Sequence, residues 1–238
     1  MSTKTYLITG ANRGLGLEFV RQISSDSSQN TIIACVRSLQ GELDDLKALA
    51  KSNSQIQILE CDTGNVSSIQ KCGGEVTKLL GDGQLHYLIN NAGINSVPEK
   101  TALTMTPEDI RNHIEINVIG PNELVKAVEK HLKQGSTVLN MTSGLASIGL
   151  GLVKCSAYSM SKCALNMVTA HLASEMRERG VRVIVMDPGW VKTRMGGEGA
   201  ILEAHESIGG MLKVLRDEGK GVSDSGTFYQ YDGTTKPW

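Results

Sequence analysis

The sequence predicts an α/β fold built on a parallel, doubly wound sheet. Three observations carry that expectation. Short, β-rich apolar runs recur along the chain, most with little polar interruption, as strands covered on both faces require. Helix-period apolar patterns lie between them. The two signals alternate, which implies right-handed βαβ crossovers rather than hairpins. With 238 residues, 40% of them apolar and 21% charged, the chain suits a single domain over residues 1–238 with a sizeable core.

Strands are expected at residues 5–9, 31–36, 56–60, 87–90, 137–141, 181–186 and 227–231. The first runs into Gly10, Gly14 and Gly16, which open a helix. Glycines there permit a tight turn and close backbone approach, and the helix N-terminus offers N–H groups and positive potential to a pyrophosphate. The spacing is G-x-x-x-G-x-G, so on its own the turn also fits a purely structural strand–helix junction. The second strand ends in Val36-Arg37-Ser38, with no acid until Glu42. A carboxylate at that point suits the free ribose hydroxyl of NAD. Arg37, with Arg13 inside the glycine turn, suits the 2′-phosphate of NADP in charge and bidentate geometry, although both arginines also fit solvated surface positions.

Leu39, Leu43, Leu46 and Leu49 mark the next helix, and Val66, Ile69, Val76 and Leu79 another. Ile110, Ile114 and Val118 lead into Leu124, Val125 and Val128 as one long helix, and Leu165, Val168, Leu172 and Met176 mark a fourth. This last helix begins near Tyr158 and Lys162, which at i and i+4 share one face. An ammonium beside a phenol draws its pKa down from about 10 toward the working range of an acid–base group. A bare YxxxK match is common, and its ordinary reading is a half-buried aromatic beside a solvated lysine. Residues 189–226 are glycine-rich with short helical pieces, and they follow a strand's carboxyl end. They are expected to form a substrate lid, with an ordinary long loop and surface helices as the alternative.

A net charge of −1, from 24 basic and 25 acidic residues, supplies no field for nucleic acid or an anionic membrane. The longest uncharged stretch, residues 134–153, contains Asn140, Thr142, Ser143, Ser147 and several glycines, and reads as a buried strand and loop rather than a span. The N-terminus lacks the layout of a secretion signal. The five cysteines, Cys35, Cys61, Cys72, Cys155 and Cys163, include no CxxC and no zinc-like spacing. Reduced thiols in a cytoplasmic protein with no metal are therefore expected.

Over nearly its whole length the chain resembles a short-chain dehydrogenase/reductase. The segments Thr9–Gly16, Cys61-Asp62-Thr63, Asn90-Asn91-Ala92-Gly93, Asn117, Ser143, Tyr158 with Lys162, and Asp187-Pro188-Gly189 with Thr193 occur in that family's order. The run Gly189-Trp190-Val191-Lys192-Thr193 and the ending Phe228–Trp238 further resemble the C-factor and sniffer-like carbonyl reductases. The resemblance implies a Rossmann sheet of order 3-2-1-4-5-6-7 and an NADPH-dependent reduction of an aldehyde or ketone. Tyr158 would protonate the carbonyl oxygen, Ser143 would hydrogen-bond it, Lys162 would tune the phenol and hold the nicotinamide ribose, and Asn117 would position a relay water. Gly10, Asn12, Gly14, Leu15 and Gly16 would border the pyrophosphate, with Arg13 and Arg37 on the 2′-phosphate. Asp62 and Thr63 would contact the adenine, and Asn90, Ala92 and Gly93 the adenosine and ribose region. Val191 and Thr193 would orient the nicotinamide carboxamide, with Pro188 and Gly189 beside them among the cofactor-binding residues. Ser143 precedes Tyr158 by fifteen residues, slightly more than many members show. The intervening apolar loop, with Leu145, Ile148, Leu150, Leu152 and Val153, is expected to favour a bulky or apolar carbonyl. Two alternatives share the scaffold: a cofactor-binding sensor, and a non-redox epimerisation, dehydration or cyclisation. Family members often pair as dimers or tetramers through the helices bearing Asn117 and Tyr158, where Val125, Val128, Met167 and Met176 are candidate outward residues. Core packing explains the same residues equally well.

Overall fold

The structure, a computed structural model, describes residues 3–27, 29–217 and 219–238. Met1 and Ser2, the start of the N-terminal run read above, lie outside them, as does Glu218 within 189–226. Seven parallel strands form one sheet in the order β3-β2-β1-β4-β5-β6-β7. They are β1 (Thr5–Thr9), β2 (Thr31–Val36), β3 (Ile56–Glu60), β4 (Tyr87–Asn90), β5 (Thr137–Met141), β6 (Arg182–Asp187) and β7 (Phe228–Gln230). The helices are α1 (Gly14–Asp26), α2 (Asp44–Ser52), α3 (Val66–Leu80), α4 (Pro107–Ile114), α5 (Gly120–Val128), α6 (Ser156–Glu175) and α7 (Ala204–Arg216).

The strand period of two divides the core. Tyr6, Ile8, Ile32, Ala34, Leu139, Ile184 and Met186 face Phe19, Val20 and Ile23 of α1, Leu46 of α2, and Ile208, Met211 and Leu215 of α7. Leu7, Ile33, Cys35, Val138 and Val183 face Cys72 and Val76 of α3, Leu124 and Val128 of α5, and Leu172 and Met176 of α6. Each large side chain fully removed from water contributes about 2–3 kcal/mol, which explains why both sheet faces must be covered.

Several sequence expectations shift. Val125, Val128 and Met176 are core residues, so of the four proposed outward positions only Met167 is exposed. The helix expected from Leu39 starts at Asp44, with Leu39 on an exposed turn, and Leu79 points to solvent. β6 begins and ends one residue later than expected because Asp187 still pairs with Gln230, and β7 is shorter at both ends. Within 189–226, α7 is a core helix against α1, which confines any lid to residues 189–203. Gly210 lies where α7 passes the chain's end, since a Cβ there would sit 2.5 Å from the Tyr231 carbonyl oxygen. The expected long helix is interrupted at Glu115–Ile119 by a wide π turn, in which the Gly120 N–H reaches the Glu115 carbonyl. Pro121 supplies the cause: it has no N–H for the carbonyl four residues back, that of Asn117.

Candidate active site

In a sheet of this order, the direction in which successive strands are added reverses between the parallel neighbours β1 and β4, and their carboxyl ends open a crevice. Loops from both strands are stitched together there. Asn91 Nδ2 donates to the Thr9 carbonyl at 2.8 Å, and the Asn91 and Ala92 N–H groups donate to Thr9 Oγ1 at 3.0 and 2.9 Å. Gly14 has φ of +53°, a left-handed conformation that favours glycine. At Gly16 a Cβ would lie 2.1 Å from the Gly10 carbonyl oxygen, so no larger residue fits without opening the turn.

The N-terminus of α1 has neither a side-chain cap nor an acidic residue in its first turn, so its leading N–H groups remain available to an anion. Arg13 and Arg37 are both exposed, and neither enters an ion pair among the described residues. The β1–β2 register pairs Thr9 with Cys35, so the two arginines leave neighbouring strand ends. Asn12 Nδ2 donates to the Glu42 carbonyl at 3.2 Å, and Leu15 packs partly buried on the core. Glu60, an acid close to this region that the sequence reading passed over, accepts the Leu39 N–H at 3.1 Å. Asp62 closes its own turn by accepting from Gly64 N at 3.0 Å, with Thr63 buried beside Gly120. These residues and turns could hold a dinucleotide phosphate.

Beyond β4, Gly93 measures the distance between two side chains. A Cβ on it would lie 3.0 Å from Asn117 Oδ1 and 3.3 Å from Lys162 Nζ. Asn117, fully buried in the π turn, accepts from Ile94 N at 2.8 Å and donates to Ile94 O at 3.0 Å and Ser161 Oγ at 2.9 Å. Ser161, which no sequence motif flagged, donates onward to the Tyr158 carbonyl at 2.7 Å. Asn90 is 2% exposed and gives its amide to Asn140, which donates in turn to Thr169. It therefore forms part of a buried amide ladder beneath the crevice, and its Oδ1 has no partner among the described residues.

Lys162 donates to the Met141 carbonyl at 2.7 Å, and its ammonium lies 5.9 Å from the centre of the Tyr158 ring. Burial lowers its pKa to about 8. The Tyr158 phenol is pushed above its ordinary value, first by burial, then by the Asp187 carboxylate and the Cys155 sulfur, while a hydrogen bond with Ser143 pulls it down. Cys155, just before α6, has φ of +53°, an uncommon conformation for a non-glycine residue that sets the entry of the helix carrying Tyr158. Asp187 is held between Gly189 N at 3.0 Å and Lys236 Nζ at 3.3 Å. Neither Lys236 nor its pairing carried a local sequence signal.

After Pro188, the segment 189–203 folds back on itself. Val191 bridges Leu202, the Trp190 indole donates to the Gly196 carbonyl at 2.7 Å, and Thr193 Oγ1 accepts from Gly196 N at 3.2 Å. A Cβ on Gly14 would lie 3.7 Å from the Thr193 methyl, so this loop reaches across to the glycine turn. Ile148, Leu152 and Val153 from the β5 loop and Trp190, Met195 and Ile201 from the β6 loop are exposed. Among the described residues, no cluster of His, Cys, Asp and Glu could hold a metal, and no helix is long and apolar enough to cross a membrane.

The family model for short chain dehydrogenases matches residues 4–200. In sequence the chain is 31% identical, over all of both chains, to an oxidoreductase of Schizosaccharomyces pombe. It is 36% identical over 160 residues to the C-signal protein of Myxococcus xanthus, covering 66% of this chain and 94% of that one. In structure it superposes over all of both chains on the NADPH-bound carbonyl reductase from chicken fatty liver, with a TM-score of 0.92 and 31% identity. The same coverage and a TM-score of 0.92 hold for the carbonyl reductase Sniffer of D. melanogaster, at 30% identity. With the sheet order, the glycine turn and the Tyr158–Lys162 helix described above, these matches establish that the chain belongs to the short-chain dehydrogenase family of oxidoreductases.

Proposed function

We propose that this protein is an NADPH-dependent reductase of aldehydes or ketones, with Tyr158 as proton donor. The observation that carries the reading is the convergence of Lys162, Asn117 and the Tyr158 segment at the crevice that the glycine turn borders. The uncapped α1 N-terminus and the unpaired Arg13 and Arg37 fit a dinucleotide with an additional phosphate. The NADPH held by the chicken liver reductase supports the same choice. When bound, the nicotinamide supplies the hydride.

The chain's own residues do the rest. The Tyr158 hydroxyl gives its proton to the carbonyl oxygen, and Ser143 steadies that oxygen as charge develops. Lys162, with a pKa of about 8, replaces the proton at a pH matched to neutral operation. Asn117 fixes the Ile94 loop and Ser161, and so the position of the Tyr158 turn. Segment 189–203 acts as the lid, with Val191 and Thr193 set by its internal hydrogen bonds. The apolar rim of Ile148, Leu152, Val153, Trp190 and Met195 favours a bulky, apolar carbonyl.

The test is NADPH oxidation with a panel of apolar aldehydes and ketones. Tyr158→Phe should lower turnover by about 10²–10⁴-fold while NADPH binding persists. Tight NADPH binding without turnover by the unmodified protein would instead identify a sensor. Product formed without net NADPH consumption would identify a non-redox step.

A further inference from the structure

We propose that Lys236, from the chain's last turn, is a positioning residue for the catalytic acid: it holds and neutralises Asp187, the carboxylate that stands behind the turn after Ser143. The inference rests on the reductase reading above and adds a residue to it. Lys236 lies 74 positions from Lys162 in sequence, yet three contacts bring its segment to the site. The Lys236 N–H donates to the Phe228 carbonyl at 2.8 Å, Ser147 Oγ donates to the Pro237 carbonyl at 2.6 Å, and Gly149 N donates to the Trp238 carbonyl at 2.9 Å. Trp238 packs against Phe228 with ring centres 5.7 Å apart. The last residues are thereby fastened to the loop that follows Ser143. A Cβ on Gly144 would lie 3.0 Å from Asp187 Oδ2 and 3.6 Å from Lys236 Nζ, so the ion pair stands directly behind the residue next to Ser143. The side chains of Asp187 and Lys236 are only 11% and 18% exposed, so solvent screens their charges weakly.

The chemistry explains why the pair matters. In reduction the Tyr158 O–H bond breaks, its proton passes to the carbonyl oxygen as the hydride reaches the carbon, and a phenolate remains. The groups that act on this oxygen are Ser143 from the end of β5, Cys155 just before α6 and Asp187 from the end of β6, while the Lys162 ammonium lies 5.9 Å from the centre of the ring. An unneutralised Asp187 opposes the forming phenolate, because like charges disfavour ionisation. Lys236 offsets that charge and fixes the carboxylate against Gly189 N.

The experiment is a double-mutant cycle with Lys236→Met, Asp187→Asn and the pair together, alongside Lys236→Arg. Each is read as kcat and KM for NADPH-driven reduction across the carbonyl panel, and as the pH profile of the reverse oxidation. Lys236→Met should lower kcat about tenfold with little change in KM, and move the oxidation profile to higher pH by about one unit. Lys236→Arg should restore both, and the double variant should recover most of the loss, because the charge that Lys236 masks is gone. A Lys236→Met protein with unchanged kcat and profile overturns the inference. So does a double variant as slow as Lys236→Met, which would mean the lysine only braces the tail. Those results leave the reductase reading intact if Tyr158→Phe is inactive, whereas an active Tyr158→Phe removes that reading and this inference with it.

Discussion

Replacing Lys162 with Met should make the protein inactive, yet more stable at neutral pH than the loss of a hydrogen bond would suggest. Burial holds the ammonium at a pKa of about 8, down from 10.5. At about 1.4 kcal/mol per pK unit, the charged amine costs the folded chain about 3 kcal/mol at neutral pH. Met removes that cost but leaves the Met141 carbonyl without its donor, a loss of about 1–3 kcal/mol. The two nearly offset at pH 7, and the pH dependence separates them. Below about pH 8 the lysine is protonated in both the folded and the unfolded chain, so the penalty is complete. Between about pH 8 and 10.5 the folded chain releases the proton while the unfolded chain keeps it, and the penalty fades as pH rises. The unmodified protein should therefore gain about 2 kcal/mol relative to Lys162→Met between about pH 7 and pH 9.5. Urea denaturation of both proteins in cofactor-free buffer at the two pH values measures this directly, since every other titration cancels in the difference. A stability difference that stays constant with pH would refute the account of Lys162 as a desolvated ammonium.

Two further outcomes are expected. Arg37→Asp should weaken NADPH binding by at least about tenfold more than NADH binding, read by cofactor fluorescence titration; equal losses for both would remove the arginine from the 2′-phosphate. Asp224→Ala should destabilise the fold by about 3 kcal/mol in urea, because Arg182, only 4% exposed in its side chain, loses its two bonds to Asp224 at 2.9 and 2.7 Å. An unchanged midpoint would show that solvent reaches the guanidinium.

The sheet was legible because both of its faces are buried. Five strand ranges, from Thr5–Thr9 to Thr137–Met141, match the expected runs; in four of them nearly every side chain is core, while the edge strand β3 buries only Ile56. The glycine turn and the Tyr158–Lys162 pair were legible because each is local, fixed by spacing within one turn of chain. α7 was harder to see. Ile208, Met211, Leu212 and Leu215 carry a clear helical period, but Gly209 and Gly210 argue against a helix unless the approach of Tyr231 is known. Asp187 with Lys236, and Arg182 with Asp224, join residues more than forty positions apart, and nothing in either neighbourhood announces a partner. The outward reading of Val125, Val128 and Met176 failed because a helical stripe shows that one face is apolar without showing what it meets.

The π turn at Glu115–Ile119 has a consequence for how α4 and α5 share their work. A regular helix locks the rotational phase of every residue to every other, so an asparagine aimed at Ile94 and a stripe aimed at α3 could not be adjusted independently. One extra residue per turn acts as a slip joint between the two halves. The first half answers to the crevice and the second to the core, and deletion of a single residue there would force both to compete for the same angle.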